Sequence, residues 1–264
     1  MTVKATPSLA LLSIFGLWTG FWCIERMYLY SFATPEAMVN ATVPMYLPYV
    51  DAPEEWKGAL GGALSMMYAP DREFFSRIVH VQLSGVLALC CLINLTIGNT
   101  VAALGPSERP NALVAIVHRF TGKTFQICVV PWSLYLNYVL FVHGMIPFGP
   151  VVDTLDKIAS LVSTLAFGAG LCYIIHGRNI KAHRCCMVIG SAALFVIPVQ
   201  RFYWYLTTNY LIKSMAYFEG NLMKYFGTID LTFFAATATV TAMGYFYAKD
   251  DVGALGKKKA ATSG

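Results

Sequence analysis

The sequence predicts an all-α fold, a polytopic membrane bundle of about six transmembrane helices, and three observations carry that prediction. Of the 264 residues, 57% are apolar or aromatic and only 12% are charged, a balance that a soluble domain of this size could not hide from water. The apolar residues gather into six runs, each near the roughly 20 residues that a hydrocarbon core of about 30 Å requires. None of these runs alternates with the period of two that marks a strand.

The runs cover about 8–32, 77–104, 113–142, 154–176, 183–206 and 227–248. The first is too long for the core of a signal peptide and only Lys4 precedes it, so it reads as a true first span. The stretches 33–76 and 207–226 hold Pro, Gly, Tyr and Trp and read as ordered caps on one membrane face. The whole chain, 1–264, is taken as one integral-membrane domain.

An even number of spans puts both termini on one side. That side carries eleven Lys/Arg, including Arg109, Arg119, Lys123, Arg178, Lys181, Arg184 and the Lys257–Lys259 run, with three acids; the other has eight basic and eleven acidic residues. The positive-inside rule therefore places the termini on the inner, cytosolic or matrix face and the two caps outside. Asn40-Ala41-Thr42 is a glycosylation triplet on the expected outer face. The seven cysteines show no C-x-x-C pattern and read as small buried residues.

Ionisable residues within spans are costly, so they are the first candidates for chemistry. The second, third and fifth spans draw the attention. In the second, His80, Ser84, Ala88, Cys91, Asn94 and Gly98 form one small or polar stripe that should pack inward. The third opens with His118-Arg119-Phe120-Thr121-Gly122-Lys123, where His118 and Gly122 share a face. The fifth opens with His183-Arg184 and carries Arg201 five turns on, on the same face unless Pro198 distorts it.

The chain's direction brings His118 and His183 to one depth near the inner face, with His176 close by at the end of the fourth span, whereas His80 stands near the outer face. Imidazoles on facing helices can ligate haem iron from both sides, and Arg or Lys beside them can hold the propionates. The candidate metal ligands are thus His118 and His183. His176, His80, Arg119, Lys123, Arg184 and Arg201 complete the candidate cofactor site. The competing reading is a set of interfacial residues that bond loop carbonyls and lipid phosphates.

Three motifs, Arg77-Ile78-Val79-His80, His118-Arg119-Phe120-Thr121-Gly122-Lys123 and Lys181-Ala182-His183-Arg184-Cys185-Cys186-Met187, occur in that order, with Arg201 after them. Over about 75–205 the chain resembles an uncharacterised family of multi-pass membrane proteins that carry H-R-x-x-G-[RK] and H-R-x-W-M motifs. Here Cys186 replaces the usual Trp. More loosely, the chain is similar to the ascorbate-reducible transmembrane cytochromes b, in which four central helices each give one haem-ligating His. That similarity implies haem b and a quinol or small reductant as electron donor, with His118 and His183 as the inner pair. The alternative function is a non-catalytic accessory subunit that packs on other membrane-protein subunits, as in a respiratory complex. No nucleotide-binding loop, serine elbow, H-E-x-x-H or nucleic-acid module is present.

Overall fold

The computed structural model describes the backbone of residues 7–67, 69, 75–104, 112–143, 150–177 and 179–262, and side chains within somewhat narrower limits. The described residues are overwhelmingly helical and include no strand. In chain order the α-helices are α1 (Pro7–Phe32), α2 (Pro35–Tyr46), α3 (Glu54–Met67), α4 (Ser84–Leu104), α5 (Ala112–Tyr138), α6 (Pro150–Ile175), α7 (Ile180–Leu194), α8 (Val196–Leu206) and α9 (Leu222–Thr262).

Five helical stretches are long and apolar enough to cross a membrane: Arg77–Ile97, Ala112–Val142, Val151–Ile175, Ile180–Leu211 and Leu222–Phe246. The protein is an integral membrane protein on that evidence. The sixth expected span is α1, whose 26 residues suffice for a crossing but whose apolar run is interrupted by Glu25 and Arg26.

Helix starts follow local rules. The Thr34 hydroxyl accepts from the Ala37 N–H at 3.2 Å, with Pro35 at the first helical position of α2, and the Asn179 side chain accepts from the Ala182 N–H at 3.1 Å to start α7. Helices α7 and α8 are one passage divided at Phe195. Pro198 explains the division: it has no N–H to offer the carbonyl of Leu194, four residues back, and its ring crowds that carbonyl. Three passages end in π-helix at Phe75–Leu83, Val139–His143 and Thr207–Leu211, all at the end that α2 and α3 cover.

The long helices form a ring in which α1 meets α4, α4 meets α5, α5 meets α6, α6 meets α7, and α9 packs on both α7–α8 and α1. Helix α4 also touches α7 across the ring. Thus α4, α5, α6 and α7 make a four-helix unit in which α5 and α7 stand on a diagonal. Small residues allow the tight α6–α7 pairing, since a Cβ on Gly170 would lie 3.2 Å from the Cys186 Cβ.

The two stretches expected as caps dock on each other. Asp51 accepts from the Ser214 hydroxyl at 2.6 Å and from the Met215 N–H at 3.1 Å, and Trp204 donates to the Met45 carbonyl at 3.0 Å. Tyr225 donates to the Tyr46 carbonyl and stacks edge-on against Trp56, Trp204 and Phe218. The Ser214 and Met215 donors hold the Asp51 carboxyl below the usual carboxylate range. Burial pushes the Tyr49 phenol beside it up to about 12.

Candidate functional site

Two levels of the bundle carry chemistry, and an aromatic layer parts them. At the end away from the cap, His118 stands in the second turn of α5 and His183 in the first turn of α7. Each ring is oriented by a helix that lies between them. The His183 Nδ1 is 2.8 Å from the Gly170 carbonyl of α6, which can only accept, so this nitrogen carries the proton.

The His118 Nδ1 lies 2.6 Å from the Asn94 Oδ1 of α4. Asn94 is fixed in that sense because its Nδ2 donates to the Cys90 carbonyl at 2.8 Å, and the Thr121 hydroxyl also donates to its Oδ1 at 3.1 Å. In the neutral tautomer that both arrangements select, each Nε2 keeps its lone pair. A Cβ added to Gly122, one turn from His118, would meet nothing within 4 Å.

The other expected site residues are more dispersed. Arg119 and Lys123 are exposed on α5, and Arg119 donates to the Ala115 carbonyl at 3.2 Å. Arg184 borders a separate apolar recess between α6, α7 and α9. Among the described residues no three His, Cys, Asp or Glu side chains come together as a metal group. Helix α6 ends at Ile175, which leaves His176 exposed in the turn beyond it. The side chain of His143 lies outside the described residues.

The dividing layer is Phe125, Phe167 and Trp132, all buried; Phe125 meets Phe167 edge-on with centroids 4.8 Å apart. Trp132 donates to the Ser84 hydroxyl at 2.7 Å, and Ala88 and Cys91 are buried, so this part of the second span's small-residue stripe faces inward.

Toward the cap, Trp132 forms part of the wall of a cavity of about 220 Å³. Arg26 and Tyr30 of α1, Tyr46 of α2, His80, Asp156 of α6 and Arg201 of α8 all line it. His80 is accessible, and it borders this cavity rather than approaching the other histidines. Arg201 is 8% exposed, donates to the Gln200 amide oxygen at 2.8 Å and to the Tyr46 hydroxyl, and lies over the Tyr46 ring. Burial pushes the Tyr46 phenol up and Arg201 draws it down, with Asp156 and Tyr30 raising and Arg26 lowering it.

No protein-family model, curated protein or solved structure matches the chain. Sequence reasoning concentrated the buried charge in the second, third and fifth spans. The structure corrects that: Arg26 and Asp156, on the first and fourth, join Arg201 at one cavity. Their presence inside apolar runs was the signal that could have singled them out.

Proposed function

We propose that this protein is a membrane haem protein that carries electrons, in which His118 and His183 would hold one b-type haem. The observation that carries the reading is the pair of rings on diagonal helices, each with Nδ1 bound by a carbonyl-type oxygen of an intervening helix. Ligating histidines in general have their second nitrogen held in this way, which fixes the tautomer and aims Nε2. The residues fit the group in three respects: two available Nε2 atoms, open space at Gly122, and cationic Arg119 and Lys123 at the same end for propionates.

The haem would supply an iron that takes up and releases one electron. The chain's own part is to orient the two imidazoles, through Asn94 and Gly170. The phenyl and indole layer closes the bundle behind them. A quinol or small reductant is the class of donor that suits such a carrier.

The test is the reduced-minus-oxidised absorption spectrum of the full chain purified from cells supplied with ample haem. A low-spin Soret and α-band pair is expected, lost in His118→Ala and in His183→Ala and kept in His176→Ala. Absence of a Soret band from the unmodified protein would overturn the reading. The accessory-subunit alternative would then stand in its place, and co-purifying membrane subunits would be sought.

A further inference from the structure

The cavity under the cap is built unlike a gap filled by packing. Arg26 has its Nε and Nη1, Arg201 its Nε and Asp156 its Oδ1 buried without a hydrogen-bond partner among the described residues. Burying a polar atom without a partner is costly, and more so when it is charged, so four of them around one space require a reason. The guanidinium groups outnumber the carboxylate. Glu25 offsets Arg26 only in part: it reaches Nη2 at 3.4 Å and is itself 46% exposed.

Three of the four orphaned atoms are donors, and no ion pair within 4 Å joins Asp156 to either Arg among the described residues. The hydroxyl of Tyr46 already serves Arg201, and the remaining wall is mainly apolar, with Leu136, Leu140, Ile197 and Phe233, although His80, Ser84, Ser160 and Ser163 also border it. A positive polar end inside an apolar sleeve, in a protein bathed in lipid, matches one class of molecule: an amphiphile with an anionic head and a hydrocarbon tail.

We propose that this cavity binds the anionic head group, a carboxylate or a phosphate monoester, of a single-chain membrane amphiphile, with Arg26 and Arg201 as its partners. Asp156 lines the same cavity and, when ionised, opposes the ligand's charge, so it lowers the affinity and makes the head group releasable. A neutral quinone head would satisfy donors but would be indifferent to that carboxylate. The inference does not rest on the haem reading, since it concerns other residues and another level of the bundle.

The test uses the full chain in a non-ionic detergent and radiolabelled palmitate, with hexadecanol, decylubiquinone and palmitoyl lysophosphatidate as competitors. Palmitate or lysophosphatidate is expected to bind saturably, and the tighter of the two identifies the head group. Arg26→Gln and Arg201→Gln should each weaken binding about tenfold or more, the ratio that about 1.4 kcal/mol represents. Asp156→Asn should tighten it by a similar factor, a gain that misfolding cannot imitate. Saturable binding of neither anion, equal competition by hexadecanol or decylubiquinone, or an Asp156→Asn variant that binds no better would overturn the proposal.

Discussion

Gly190→Ala isolates the packing of the aromatic layer. A Cβ at position 190 would lie 2.4 Å from Cε1 and 2.5 Å from Cδ1 of Phe167. That ring is completely buried, with Phe125 edge-on against it and Trp132 near its other side, so it has nowhere to turn. In an unobstructed helix the change from Gly to Ala gains about 0.5–1 kcal/mol. Forcing a methyl into a filled core costs about 1–3 kcal/mol, so a net loss of up to about 2 kcal/mol is expected. Gly168→Ala supplies the control, because a Cβ there meets nothing within 4 Å and only the helix gain of about 0.5–1 kcal/mol should appear. Thermal unfolding in detergent, followed by tryptophan fluorescence, reads both. Adding Phe167→Leu to Gly190→Ala should recover part of the loss. If Gly190→Ala melts at or above the parent, the claim that Phe167 is held rigidly against α7 is wrong.

Tyr225→Phe leaves the Tyr46 carbonyl without its buried partner, which should cost about 1–3 kcal/mol and show as a lower melting temperature. Trp132→Phe removes the bond to Ser84 and should cost about 1 kcal/mol, a loss that Ser84→Ala in the same chain would add little to. Because the Asp51 carboxyl is held below its unfolded value, its contribution to cap docking is complete above the usual carboxylate range and fades as pH falls through the lowered folded value; hydrogen exchange at Met215 should accelerate there, and Asp51→Asn should abolish that step. For sidedness, a tag after Gly264 should be protected in sealed right-side-out membranes while one inserted near Pro53 is cleaved, and the reverse pattern would invert the assignment.

Five of the six expected spans were legible because length and apolarity alone identify them. The division at Phe195 was partly legible through Pro198. The π-helical passage ends were not, since they depend on which carbonyl each N–H selects, and that choice leaves no trace in composition. Among site residues, His118 and His183 could be paired by depth, and Asn94 could be placed on an inward stripe. Its role as the acceptor that orients His118 needed the fixed amide of Asn94 itself. The cavity was illegible for a simpler reason. Tyr46 and Arg201 touch across 155 positions of chain, and no local periodicity relates α2 to α8.

Tyr46 gives its hydroxyl to the cavity and its carbonyl to the cap, through Arg201 and Tyr225 respectively. If an occupant of the cavity drew the Arg201 guanidinium away from Tyr46 and so loosened α2, then anything that displaced α2 would change the cavity's affinity by an equal factor. The cap would then be a handle on the membrane interior.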